Sequence, residues 1–436
     1  MVFNAMKDKI NEYIDNNKKW LIDRLFDIIA ANTINTPPYG NENNGQDVLE
    51  RVFKNMGLQI DRFTPDEVPG FKESETYLKG RDYSNRDNLV GFIGEGIKKT
   101  IIFNGHIDVV PSQDFNWTVT APFKPKLVDG KIYGLGALDM KGGIIAFVFA
   151  LKAIIDLGIP IKGKVILESV VDEEFGGANG ALACVKKGYV GDFAIIPEPS
   201  YMAIDISNLS SKVFDIIISG STRADYLFKK PGKINAILSM SKLICALKDY
   251  EVHLNSLKKN YEIYKDIEKP MNFLFSSIKA GEIGIDKINC NPAECRSSVY
   301  LQNYPEKDKK RFNEELFSFL KRYPDISKYI EDKTIIFSEE HHRLIEGGNL
   351  NLKLKENRDF IDNLIENGKK LTNRELEISA ATYGTDYFAF SNYGNTPVIV
   401  FGPGGDNVHA PDEHVILQDL IDLSKIFSGF IYDYCC

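Results

Sequence analysis

The 436-residue chain is 43% hydrophobic and 26% charged, more than a single core commonly organises, so two domains are expected. Its formal net charge of -8 and the scatter of Lys and Arg, with no basic run interleaved with aromatics, exclude a phosphate-backbone surface and hence a nucleic-acid partner. Charges throughout residues 1–20, no apolar run of about 18 residues and six cysteines without CxxC spacing predict a cytoplasmic protein with reduced thiols and no membrane partner.

Residues 4–31 place Ile10, Ile14, Leu21, Leu25 and Ile28 at helical spacing, an amphipathic helix on a core. Residues 36–45 read as a loop, 46–56 as a second helix and 66–86 as polar and irregular. RDNLVGFIG and KKTIIFNGHIDVVP then read as strands, the second buried on both faces and emerging into His106 and Asp108. Two residues apart on extended chain, these two side chains point the same way. Either the pair is a strand cap with a nearby salt bridge, or one residue ligates a metal while the other fixes it.

After a loop and a short hairpin turning at Asp129 and Gly130, the chain reaches GLGALDMKGG, where Asp139 stands between a Gly-broken turn and an apolar run too short to span a bilayer. Asp139 is therefore at a strand-to-helix junction, as an N-cap or as a ligand. A buried strand, 164–171, ends in Asp172, Glu173 and Glu174. Three adjacent carboxylates repel unless they are solvated or offset by cations. The next strand delivers Glu198 between two prolines, and a last one, 397–401, runs through a Gly-rich loop to His409. Two imidazoles, an Asp able to bridge and two Glu carboxylates suit two zinc ions, with cobalt or manganese as alternatives.

GHIDVVP, DGKIYG, GALDMKGG, DEEFGG, PEP, PGKINAI, GTDYFAF and FGPGGDNVHAPDEHV stand in this order along nearly the whole chain. In kind and order they resemble the co-catalytic di-zinc amidohydrolases that include acetylornithine deacetylase, succinyl-diaminopimelate desuccinylase, carboxypeptidase G and bacterial dipeptidases. The resemblance implies an α/β fold, a mixed zinc-peptidase-like sheet flanked by helices, with a smaller α/β sandwich lid inserted. Residues 1–208 and 340–436 would form the catalytic domain and 209–339 the lid, which makes the subunit contact in dimeric members. It also implies that His106 and Glu198 hold one zinc, Glu174 and His409 the other, and Asp139 both, through a cis peptide to Met140. Asp108 would orient His106, and Glu173 would be the general base for a zinc-activated water. Glu at 198 points to a deacylase or carboxypeptidase type.

The lid departs from the family. Where relatives carry an oxyanion-binding His, this chain has Ala224 or Asp225, and where they carry a carboxylate-gripping Arg it has Gln302; Arg223 and Arg296 are the candidate substitutes. His253, His341, His342 and His414 read as surface or structural. Two functions follow: hydrolysis of a small-molecule amide or dipeptide with a nonstandard substrate, or a metal-retaining binding or regulatory protein on the same scaffold.

Overall fold

The computed structural model describes residues 2–112, 116–223, 234–284, 289–305, 309–339 and 343–436. The Cα atoms cluster into two compact units. The first is Met1–Asn208 with Gly348–Ala381 and Thr385–Cys436, and the second is Leu209–Gly347 with Thr382–Gly384.

Among the described residues, the first unit holds a nine-stranded mixed sheet. At its centre Val398–Val400, Phe193–Ile196, Thr100–His106 and Lys164–Val170 lie side by side and parallel. Every residue of these strands except Thr100 and Lys164 is buried, with Ile, Val, Leu and Phe prominent, the pattern of strands covered on both faces. From Thr100–His106 the chain next occupies Lys164–Val170 on one side and later Phe193–Ile196 on the other. The strand order therefore switches at the carboxyl end of Thr100–His106, which is where open α/β sheets form a crevice. Antiparallel Asn88–Gly94 and Gln59–Phe63 extend one edge, and Ile204–Asn208, paired with both Ile378–Ala381 and Gly348–Asn349, extends the other.

A smaller sheet orders Gly405–Asp406, His414–Ile416, Lys131–Tyr133 and Lys126–Val128. Its hairpin turns through Asp129 at φ 49° and Gly130 at φ 74°, the left-handed pair that a tight hairpin requires. Helices Val2–Ala30, Gly142–Asp156 and Leu417–Cys435 pack together.

Among the described residues, the second unit contains a five-stranded sheet ordered Leu274–Ala280, Glu294–Asn303, Ser210–Ser219 and Ile335–Ser338, with Leu344–Ile345 also on Ser210–Ser219. That last short strand carries the unit to Gly347, past the Glu339 expected from sequence. Helix Ala236–Ser256 packs on the sheet, and Phe312, Leu316 and Leu320 of helix Lys309–Leu320 are buried along one face.

Several segments differ from the sequence reading. Residues 36–45 contain all but Asn35 of a two-stranded ladder and the start of helix Asn43–Asn55. Residues 66–86, though polar, bury Tyr83 and Arg86. The helix Leu417–Cys435 has no counterpart in that reading because its charges interrupt the apolar pattern. In the fold those charges are paired, Asp419 and Asp422 with Arg374, and Lys425 with Asp15. No described helix is long and apolar enough to cross a membrane.

Candidate metal centre

Each parallel strand ends at a residue with a donor atom. His106 closes Thr100–His106, Glu173 and Glu174 follow Lys164–Val170, Glu198 follows Phe193–Ile196, and His409 follows Val398–Val400 through the Gly402–Gly405 loop. Asp139 comes from the irregular turn Ala137–Lys141, which opens the helix Gly142–Asp156; the Asp139–Met140 peptide is cis. The glycines that follow allow close packing there: a Cβ on Gly143 would lie 2.2 Å from the Pro197 carbonyl oxygen.

These residues converge as two sets of potential metal ligands, His106 with Asp139 and Glu198, and Asp139 with Glu174 and His409, each set with its donor atoms within 4.8 Å of one another. Asp139 is common to both and divides its oxygens between them. Its Oδ1 lies 3.0 Å from His106 Nε2, and its Oδ2 lies 3.2 Å from His409 Nε2. Glu198 Oε1 is 3.4 Å from His106 Nε2, and Glu174 Oε2 is 2.9 Å from His409 Nε2.

Burial and mutual repulsion act strongly on the acids gathered here. Burial pushes the Glu198 carboxyl up to about 8, with the Asp139 charge adding to it. Burial likewise raises Glu174 and Glu173, the latter further through Asp386, Glu198 and Glu174 and against the pull of His106. Burial opposes the charge on His409, yet Glu174 and Asp139 outweigh it and raise that imidazole to about 12. Burial also opposes the charged Asp139, but hydrogen bonds from His106 and His409 hold it well below the usual carboxylate range. Cations bound there would favour neutral imidazoles and ionised carboxylates at Asp139, Glu174 and Glu198. Glu174 Oε1 is buried with no hydrogen-bond partner among the described residues, as a free ligand atom would be. The donor set therefore fits zinc-type ions.

Glu173 is in neither set; its Oε2 stands 4.0 Å from His106 Nε2. Asp108 acts on its surroundings differently from the expectation. His106 Nδ1 meets the Asp108 main-chain oxygen at 3.0 Å, and the carboxylate Oδ1 is farther away at 3.6 Å. The carboxylate instead accepts the main-chain N–H groups of Glu173 (3.2 Å) and Glu174 (3.1 Å).

Behind this lies a buried network that sequence reasoning missed. The Asn35 amide donates to Asp108 Oδ2 and to Asp172 Oδ1, both at 2.9 Å. Asp172, at φ 63°, also accepts from Tyr83 and Arg81 and pairs with Arg86, which forks onto Glu42. The only sequence signal was Arg81 and Arg86 standing in a segment without periodicity.

The candidates from the inserted segment belong to the second unit. Asp225, with Ala224, lies outside the described residues, as do His341 and His342. Gln302 is buried and its amide is engaged by main chain, donating to Thr382 O and accepting from Asn272 N, both at 2.6 Å. Arg296 is exposed and paired with Glu294 at 2.7 Å. The Arg223 carbonyl accepts from Asn291 at 3.1 Å. His253 stacks on Phe319, and His414 packs against Tyr133.

The profile described as peptidase family M20/M25/M40 matches residues 102–433. A Bacillus subtilis (strain 168) protein named N-formyl-4-amino-5-aminomethyl-2-methylpyrimidine deformylase is 27% identical over 442 residues, covering 98% of this chain and 97% of its own. A succinyl-diaminopimelate desuccinylase of Bradyrhizobium sp. (strain ORS 278) is 27% identical over 407 residues, covering 89% and 93%. Among solved structures, the dipeptidase Dug1p of Saccharomyces cerevisiae superposes with a TM-score of 0.74 at 14% identity, over 98% of each chain.

Proposed function

Because the chain belongs to peptidase family M20/M25/M40, and so is a metal-dependent amidohydrolase or peptidase, we propose that it hydrolyses an N-acyl amine lacking a free α-carboxylate, a formamide above all. The observation that carries the chemistry is the division of the two Asp139 oxygens between His106 and His409. In this reading His106 and Glu198 hold one metal ion, Glu174 and His409 the other, and Asp139 both. Two zinc ions, or cobalt or manganese in their place, supply Lewis-acid polarisation of the carbonyl and lower the pKa of water from about 15.7 to roughly 7.

The chain's own residues do the rest. Glu173 takes one proton of the attacking water on its carboxylate and returns it to the leaving nitrogen, so that the C–N bond breaks to give an amine and a carboxylic acid, which then loses its remaining proton to solvent. Glu173 is buried beside His106 yet belongs to neither ligand set, which leaves its carboxylate for proton transfer. Asp108 holds Glu173 and Glu174 in register through their main-chain N–H groups.

Two observations support the substrate class. Gln302 stands where relatives grip a carboxylate with Arg; it is neutral and its amide is already bonded to main chain. The Bacillus subtilis relative that matches end to end carries the name of a deformylase of an aminopyrimidine. The second unit is proposed to act as a lid and, in a homodimer, as the subunit contact. The test is amine release from the zinc-loaded protein. Formamides of heteroaryl-methylamines should be cleaved faster than N-acetyl or N-succinyl amino acids and dipeptides, and a clear preference for the free carboxylate would refute the substrate class.

A further inference from the structure

Glu413 follows His409 by four residues and is 1% exposed, yet it belongs to neither ligand set. Its carboxylate accepts three main-chain N–H groups. Oε2 takes that of Gly136 at 2.8 Å, and Oε1 takes those of Leu138 at 2.8 Å and Asp139 at 3.1 Å. These are the donors of the turn that presents Asp139. The backbone there is not helical, at φ -116°, ψ 94° for Asp139 and φ -131°, ψ 28° for Met140. Regular helical bonding therefore does not fix the carboxylate's direction. Glu413 also accepts at its main-chain oxygen from Gly134, and the strand that begins beside it pairs His414 with Tyr133. The segment carrying His409 is thus sewn to the segment carrying Asp139. Behind the turn, Lys141 Nζ is buried without a hydrogen-bond partner among the described residues and lies within the field of Glu413 and Asp108.

We infer that Glu413 is a positioning residue for the metal bridge: it fixes the main chain of Asp139 so that one carboxylate serves both ligand sets. The inference rests on the reading of Asp139 as the shared ligand. The chemistry is specific to a carboxylate, which offers acceptors on both oxygens. An amide of the same shape offers one oxygen and turns an NH2 toward an N–H donor. Three main-chain donors on a buried anion form strong charge-assisted bonds, so the turn is held stiffly. Because Asp139 serves both sets, loosening it should weaken both sites together.

The experiment uses metal alone. Chelator competition with Zn2+, and the visible absorption of the Co2+-loaded protein, are compared in wild type and Glu413→Gln. Outer residues that orient ligands typically contribute 10- to 100-fold to affinity, so Glu413→Gln should lose about that much at both sites in parallel, with an altered Co2+ spectrum. As a control, Asp192→Asn removes a carboxylate that accepts the Thr100 N–H at the far end of the His106 strand. It should leave metal affinity and spectrum unchanged whatever it does to the melting temperature. Should Glu413→Gln fail to fold, Glu413→Asp keeps the charge but retracts it by one methylene, and should weaken both sites to a smaller degree. Wild-type affinity and spectrum in whichever variant folds, or loss confined to one site, would overturn the inference while leaving the proposed function standing. Failure of the wild type to bind two Co2+ ions would overturn the proposed function, and this inference with it.

Discussion

Glu173 and Glu174 are adjacent, yet only Glu174 belongs to a ligand set. Changing each to Gln separates base from ligand. Glu173→Gln should keep its metal and lose about 10²-fold or more in turnover, the scale of general base catalysis, while Glu174→Gln should lose metal; elemental analysis beside initial rates checks both. Asp139→Ala should weaken both ions at once, and one tightly held ion in that variant would contradict a shared ligand. These residues were legible in sequence because Glu173 and Glu174 follow a buried strand and precede Gly176 and Gly177, and Asp139 stands between Gly-marked turns at the start of an apolar helix. Asn35 was not, since its partner Asp172 lies 137 positions away and nothing local marks an Asn that will join two carboxylates. Glu413 was silent for the same reason: its partners are main-chain N–H groups, which every sequence contains.

At the level of elements, the loop that ends Lys164–Val170 depends on charges brought from the polar segment before Asn88. Arg86 is fully buried between Glu42 and Asp172. Removing one member of a buried ion pair leaves its partners uncompensated, at about 3–5 kcal/mol. Arg86→Met should shift the urea midpoint accordingly and, because Asp172 adjoins Glu173, lower activity in protein that is still folded. An unchanged midpoint would show the network to be dispensable. The parallel strands were readable because burial on both faces leaves short, largely apolar runs such as Ile101–Phe103 and Val165–Leu167. The polar segment gave no such pattern, as its order comes from hydrogen bonds across distant sequence rather than from periodicity. The candidates in the second unit were read from expected spacing alone, and spacing could not reveal that the Gln302 amide is taken up by Thr382 and Asn272.

For the molecule as a whole, a buried acid that belongs to neither ligand set gives stability a pH dependence. Burial pushes Glu168 up to about 8 against the hydrogen bond from Asn104. The unfolded chain releases this proton near pH 4.3, whereas the folded chain keeps it until about 8. The unfolded state therefore binds fewer protons in that window and stability falls as pH rises through it. Glu168→Gln should flatten the melting temperature between pH 5 and 8, and a profile parallel to wild type would rule this out. The packing of helix Gly142–Asp156 has a consequence in time. Its residues from Gly142 to Leu151 are all buried, and much of its cover is the helix Leu417–Cys435, whose Ser424 and Ser428 hydroxyls bond the Ala146 and Ala150 carbonyls. At synthesis rates of about 5–20 residues per second, the ribosome releases the apolar helix on the order of ten seconds or more before the helix that covers it. Throughout that interval the nascent chain carries a sticky, half-dressed core, so a ribosome stalled before residue 417 should leave a product that chaperones hold or that aggregates.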